Sequence, residues 1–304
     1  MSTANIVNLS SSAQPFIVVT GATGLLGESI VRELLTRVRA DRVGVSVRDS
    51  GTASALADLG VRVRQGNFED PESLRHAFEG ASQLLLVSSN AMAYGGDTLA
   101  QHRTAIAAAR AAGIGRIVYT SHMAASASSA FPPMRSHAAT EEMLQQSGIP
   151  WTALRHGFYA ASGIAMLGDA LQTGELAAPA DGRFSWTAHA DLAEAAAIIL
   201  ANEGCYDGPT PPLTGSQALD LSDMTAIASE LLHKPVQRLT LTDGEMRDKL
   251  AARGTPPGVI DMILGLYLAA RNGEFAAVDP ALEKLLGRPP ITMRTLIAQK
   301  IDHP

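Results

Sequence analysis

Cysteine is nearly missing from this 304-residue sequence: only Cys205 is present, which excludes an intrachain disulfide and fits a reducing compartment. With no histidine or basic residue beside it, that thiol reads as a small buried apolar side chain and not as a nucleophile. Positive charge is not in excess either. Lys and Arg number 24 against 30 Asp and Glu, a net charge of −6, which removes the electrostatic footprint that nucleic acid or an anionic membrane surface would need. No apolar run is long enough to span a bilayer, and residues 1–15 lack the basic start and apolar centre of a signal peptide. They are expected to form a flexible N-terminal tail on a cytoplasmic protein. Cys/His clusters with metal spacing and a P-loop lysine are both absent, so neither a metal nor ATP is expected. Lysine itself does not occur before Lys234.

What the sequence does contain is an apolar strand running through three glycines onto a helix. Phe16-Ile-Val-Val-Thr20 leads into Gly21-Ala-Thr-Gly24-Leu-Leu-Gly27 and then into Glu28-Ser-Ile-Val-Arg-Glu-Leu-Leu35. Glycine allows a tight turn and the close approach of a pyrophosphate, and the unpaired N–H groups of the helix start stabilise its charge. Gly21, Thr23, Gly24, Leu25, Leu26 and Gly27 are therefore candidate dinucleotide contacts. The spacing is G-x-x-G-x-x-G and not the commoner G-x-G-x-x-G, so the weight rests on the strand before, the helix after and the βα units downstream.

Those units alternate through the first half of the chain. Strands are predicted at 16–20, 42–48, 61–64, 83–88, 116–120 and 151–155, with helices at about 25–38, 52–59, 71–79, 97–112 and 136–147. The fold class is α/β, a doubly wound parallel Rossmann sheet with a smaller, mostly helical C-terminal lobe. Residues 16–155 are assigned to an NADP-binding Rossmann domain with a contribution from 185–215, and residues 156–304 mainly to a substrate-binding lobe. Helices in the lobe are predicted near 222–233, 243–253, 257–272 and 279–287, and Asp191 is expected to cap the helix that follows it.

Strand ends then supply candidates in order. The second strand ends at Val47-Arg48, where an acidic residue would bond the ribose 2′-OH of NAD; a guanidinium instead suits the 2′-phosphate of NADP(H), unless Arg48 is simply solvated beside Asp49. After the third strand Asn67 and Phe68 are placed near the adenine, and after the fourth Ser88 and Ser89 are small enough for a dinucleotide to cross, with a plain polar loop as the other reading of both. Glu141-Glu142 reads as a solvated helix face, and His102, His122 and His156 are weaker catalytic candidates, read sooner as loop or surface residues.

Together with these features, Arg116-Ile-Val-Tyr-Thr-Ser121, His137-Ala-Ala-Thr-Glu141, Ser147-Gly-Ile-Pro-Trp-Thr-Ala-Leu-Arg155, Gly157-Phe-Tyr159 and Gly287-Arg-Pro-Pro290 resemble the NmrA-like branch of atypical short-chain dehydrogenases. The chain is most similar to the bacterial NADPH-quinone and triphenylmethane reductases of that branch, from about residue 15 onward. The resemblance implies NADP(H) in a cleft between Rossmann domain and lobe. It also implies a cofactor or substrate contact for His137, which stands where related proteins carry a cofactor-facing lysine, at a helix start that Ser136 would cap, and a substrate-orienting role for Ser121.

The Tyr-x-x-x-Lys pair of the wider superfamily cannot be supplied: the residues four after Tyr94, Tyr119 and Tyr159 are Thr98, Met123 and Gly163. Reducing a ketone leaves an alkoxide whose conjugate acid has a pKa near ~16, so a positioned acid is worth about a hundredfold or more. Reducing a quinone leaves a phenolate-like anion with a conjugate-acid pKa of about 10, which needs little help. An NADPH-dependent reductase of quinones or similar electrophilic aromatics is therefore the expected function. Two alternatives stand: a non-catalytic NADP(H)-binding redox sensor, and a carbonyl or alkene reductase with another proton donor. Phe158 and Tyr159 are candidate pocket residues near Met166-Leu167, with Tyr159 a candidate donor; Trp151 reads as core. Residues 124–133 are expected to form a flexible lid. Oligomeric state is left open, since the apolar helix near 257–270 suits either internal or intersubunit packing.

Overall fold

The computed structural model describes residues 15–303; the tail expected at 1–15 lies outside the described residues except for Pro15. Seven strands form one wholly parallel sheet in the order β10-β6-β5-β4-β1-β2-β3. These are β1 (Ile17–Thr20), β2 (Val43–Val47), β3 (Arg62–Gln65), β4 (Gln83–Leu86), β5 (Arg116–His122), β6 (Trp151–His156) and β10 (Gly208–Pro209). Every residue of β1, β2 and β4 is buried, as a parallel sheet covered on both faces requires. The strand order reverses between β1 and β4, which puts the loops after these two strands on either side of the ligand crevice of a doubly wound fold.

One face is covered by α1 (Leu25–Leu35) and α8 (His189–Ala201), the other by α3 (Pro71–Phe78), α4 (Thr98–Ala111) and α5 (Pro132–Gln146). Short α2 (Ser54–Ala57) links β2 to β3. Ile30, Val31 and Leu34 of α1 share a core with the alanines of α8, whose small side chains let the two helices lie close. Asp70 caps α3 by accepting from the N–H groups of Glu72 and Ser73, with Pro71 at the first helical position.

The lobe holds α6 (Ala160–Leu167), α7 (Ala170–Thr173), α9 (Leu221–Leu232), α10 (Asp243–Ala252), α11 (Pro257–Arg271) and α13 (Met293–Asp302), while α12 (Ala281–Leu286) returns to pack Leu282 into the core under α1 and α8. It also contains strands that periodicity did not show: β7 (Phe158–Tyr159) pairs with β9 (Trp186–Thr187), and β8 (Glu175–Pro179) with β11 (Gln237–Leu241), both parallel. Partners so far apart in sequence leave no local mark. An aromatic stack fills this core, with Phe184 centred 4.4 Å from Trp186 and 5.2 Å from Phe275. Tyr267, Ala269 and Ala270 turn α11 inward onto it, while Leu268 is exposed.

Several local expectations are corrected. Helix α5 begins at Pro132 with Phe131 as its cap, because two prolines suit a helix's first turn, and Ser136 is buried inside the helix. Residues 124–133 are tethered and do not form a free lid: Ala130 N donates to Glu274 Oε1 at 3.1 Å, Ser129 Oγ also bonds Glu274, and Arg135 holds Ser129 O. Asp191 lies within the first turn of α8, not at its cap. Wholly buried, it accepts from Ile291 N at 2.6 Å and lies 2.8 Å from Arg288, so it anchors the Gly287-Arg-Pro-Pro290 segment. Cys205 is exposed, because the loop after α8 carries it to the surface. Among the described residues no helix is long and apolar enough to cross a membrane.

Candidate active site

The glycine loop turns immediately after β1. Gly21 has φ +60°, a left-handed conformation that disfavours a side chain, and a Cβ on Gly27 would stand 2.2 Å from Gly21 O. Gly24 occupies the N-cap of α1 with no side chain to accept from the first-turn N–H groups. Those donors, with Thr23, Gly24 and the two-thirds exposed Leu25 around them, make a cradle that fits a pyrophosphate.

The other predicted contacts follow the ends of successive strands. Arg48 is exposed just beyond β2 and makes no ion pair among the described residues; Asp49 instead caps the next turn by accepting from Gly51 N at 2.9 Å. Arg48 therefore remains available to an anionic ligand, and the residues fit NADP(H). Asn67, after β3, uses its Oδ1 to accept from Glu69 N at 3.1 Å, which leaves its amide N–H groups without a partner among the described residues. Phe68 packs half-buried beside it.

After β4, the loop at Ser88 and Ser89 is held from below. Ser88 N donates to Thr120 Oγ1 at 2.8 Å and Ser89 N to His102 Nε2 at 2.9 Å. His102 Nδ1 lies 2.8 Å from Thr140 Oγ1, which donates to Ser136 O, so His102 carries its proton on Nδ1. Burial lowers its pKa to about 3, and the neutral ring joins the β4 loop to α5.

His137 lies on α5 and not at its start, half-buried, with Nδ1 2.8 Å from Tyr119 Oη. Tyr119 rises from β5, fully buried, and its hydroxyl also reaches Ser88 Oγ at 3.4 Å. Burial lowers the His137 pKa to about 4 and pushes the Tyr119 phenol up. Ser121, two residues along the strand, donates to Glu141 Oε1 at 2.6 Å and so faces a buried carboxylate. Glu141 is not a solvated residue: Arg155 grips it through two bonds, at 3.1 and 2.7 Å.

Beyond these lies a layer of rings. His122 packs edge-on against Phe158 at 5.4 Å and lies 6.0 Å from His137. His156, opposite His122 in the sheet, has no hydrogen-bond partner on either ring nitrogen. Tyr159 stands 6.2 Å from His156 and 4.6 Å from His189, with its phenol pushed up to about 12 by burial.

Comparison with known proteins places this arrangement. Residues 14–288 match the NmrA-like family. The chain belongs to the NmrA-like family. It is 34% identical to Quinone oxidoreductase 2 of Escherichia coli over 94% of its own length and 98% of that protein's. The crystal structure of that organism's NADPH-dependent quinone oxidoreductase complexed with NADPH superposes with a TM-score of 0.86, covering 94% of this chain and 99% of the other. Citrobacter triphenylmethane reductase complexed with NADP(H) is 31% identical, with a TM-score of 0.83 over 94% and 99% of the two chains. The NAD(P)H azoreductase of Xenophilus azovorans is 28% identical over 90% of this chain and 93% of its own.

In this NmrA-like protein, then, the loop glycines, Arg48, Asn67, Phe68, Ser88 and Ser89 lie along the carboxyl edge of the sheet, with His137 reaching the same edge through Tyr119. Ser121 is turned into the Glu141–Arg155 pair. His102, His122 and His156 are buried and not at the surface: His102 sits on the inward face of α4, and His122 and His156 end the buried strands β5 and β6. Tyr119, Thr140 and Glu141 were missed as site residues. A search for Tyr-x-x-x-Lys looks for both partners on one helix, whereas Tyr119 and His137 meet from a strand and a helix.

Proposed function

We propose that this chain, an NADP(H)-dependent reductase, transfers hydride directly to a quinone or a similar electrophilic aromatic without a Tyr/Lys acid pair. The observation that carries the reading is the uncapped, glycine-lined start of α1 after β1, with the exposed Arg48, unpaired among the described residues, at the end of the neighbouring strand β2: an anion cradle with one cation on the adjoining strand end. Bound NADPH supplies the hydride. The chain's part is to hold and orient: first-turn N–H groups and Arg48 on the phosphates, Asn67 and Phe68 at the adenine, Ser88, Ser89 and His137 toward the nicotinamide end. Residues 16–155 with 185–215 form the cofactor side, and the remainder of 156–304 forms the acceptor side.

The neutral state of His137 supports an acceptor that needs little acid, since a ring with a pKa of about 4 is not an imidazolium at neutral pH and its remaining N–H is only a very weak acid. The half-buried Tyr159 ring offers flat surface to such an acceptor, whereas Phe158, expected beside it in the pocket, is buried against Phe184, Trp186 and Phe275. The names of the relatives, quinone, dye and azo reductases, favour an enzyme over a redox sensor. A cytoplasmic setting suits the single exposed thiol of Cys205. The test follows NADPH absorbance with menadione, a triarylmethane dye and an azo dye. Turnover on at least one is expected; tight NADPH binding with no turnover on any would overturn the reading.

A further inference from the structure

Ala124 N donates to His122 Nδ1 at 3.1 Å, so that nitrogen presents a lone pair and the ring proton sits on Nε2. An imidazolium has no lone pair to offer, so the bond requires a neutral ring, and burial lowers the His122 pKa in agreement. The Nε2–H group has no hydrogen-bond partner among the described residues. His156, beside His122 in the sheet, has both ring nitrogens sealed from solvent. His122 differs: it keeps 7% of its surface exposed, and its Nε2 is not one of the sealed atoms. A buried ring is thus held with one free N–H and an opening onto it.

That N–H stands at the edge of the sheet where ligands of a doubly wound fold bind. His122 is the last residue of β5, which pairs with β4, and the loop after β4 carries Ser88 and Ser89. Phe158 and Phe275 of the lobe core lie edge-on to its ring at 5.4 and 5.9 Å, so the imidazole sits where sheet and lobe meet. His137, 6.0 Å away, has its own Nδ1 occupied by Tyr119 and takes up neither nitrogen of His122. Among such apolar neighbours a fixed, unpartnered donor acts more strongly on a developing charge than it would in water.

We propose that His122 is a catalytic residue whose Nε2–H donates to the acceptor oxygen that becomes negative, and that it thereby selects quinones over cationic dyes, an assignment that rests on the reductase reading above. The hydride supplied by that activity forms an O–H bond at one quinone oxygen, the ring becomes aromatic, and the electron pair of the other C=O stays on its oxygen. That oxygen accepts from Nε2–H without taking the proton, because the N–H of a neutral imidazole is a very weak acid. Solvent protonates the hydroquinone anion, so quinone, NADPH and a proton become hydroquinone and NADP⁺. A triarylmethane cation undergoes the opposite change of charge. Hydride adds to its central carbon and leaves a neutral product, so the donor contributes nothing to that reaction. A neutral imidazole as electrophile has the further merit that it adds no buried cation for the acceptor to displace.

The experiment uses the full chain and its His122→Phe and His122→Asn variants, with menadione and malachite green as acceptors, together with nitrogen NMR of the histidine rings in the cofactor-free wild type. Phenylalanine keeps a ring against Phe158 and Phe275 but has no donor. Asparagine still offers Ala124 N an acceptor, on a side chain too short to carry an N–H to the position of Nε2. The expected results are a proton on Nε2 of His122 at neutral pH and a menadione-to-dye kcat ratio about 100-fold lower in both variants. A merely structural role would slow both acceptors together. An unchanged ratio in a folded variant, or a proton on Nδ1 of His122, overturns the proposal. Dye turnover without menadione turnover by the wild type also overturns it and leaves the parent reading intact, whereas turnover of neither acceptor overturns the parent reading.

Discussion

Glu141 and Arg155 face each other between α5 and β6, with Arg155 Nη2 donating to Glu141 Oε2 at 2.7 Å and Nε to Oε1 at 3.1 Å. Ser121 completes the carboxylate's shell at 2.6 Å. Glu141 lies one helical turn beyond His137, so the pair fixes the helix that presents the imidazole.

Glu141 is buried, but Arg155 is 32% exposed and water can reach it when the carboxylate is removed. Glu141→Gln is therefore expected to destabilise the protein by about 1–2 kcal/mol, read as a lower urea midpoint at unchanged slope. Ser121→Ala removes one neutral donor and should cost only ~1 kcal/mol. A large loss of turnover in Ser121→Ala with normal stability would instead restore Ser121 to the substrate site.

Gly27→Ala places a methyl 2.2 Å from the Gly21 carbonyl, and the backbone on both sides must move. NADPH affinity is expected to fall at least ~10-fold, with about 1–3 kcal/mol of stability lost to overpacking. Gly24→Ala, whose Cβ would meet the same oxygen at 3.4 Å, should be tolerated better. Fluorescence titration of NADPH against both variants checks the order; equal affinities would remove the close-packing argument.

Arg48→Ala should weaken NADPH by roughly 10- to 100-fold, the worth of a charge-assisted pair of hydrogen bonds, and NADH far less. Calorimetric titration at two salt concentrations measures both. Equal losses for the two cofactors would mean that Arg48 does not recognise the 2′-phosphate.

Stability should also depend on buried histidines. His102 and His156 have pKa values of about 3 in the folded chain, against an ordinary 6.5, because burial disfavours their charged forms. Below pH 6.5 the unfolded chain binds protons that the folded chain does not, so stability falls with pH from 6.5 toward 3. By pH 5.5 each wholly buried ring contributes a loss of about 1.4 kcal/mol, and carboxylates have barely begun to titrate. Urea unfolding at pH 7.0 and 5.5 gives the difference, and His156→Phe should reduce it by one histidine's share. No change between the two pH values would mean that these rings are solvated.

The Rossmann sheet was legible because each of its elements carries a local signal: Ile17–Thr20 is apolar and β-branched, Asp70-Pro71 starts a helix, and the glycines mark the turn. The ribbons β7–β9 and β8–β11 were not, since their partners lie far apart and their short runs have no period of their own. Ser136 and Asp191 misled for a related reason. Each is a good cap by residue type, but Pro132 and Pro133 start α5 a turn before Ser136, and burial against Arg288 gave Asp191 another partner.

By itself the sequence determined the fold class, the dinucleotide cradle and the cation beyond β2, because these depend on residue type at fixed local spacing. Tertiary structure alone decided the chemistry around His137. Whether a tyrosine on one element reaches a histidine on another, which nitrogen carries the proton and which carboxylate is buried all depend on how α5 lies against β5 and β6.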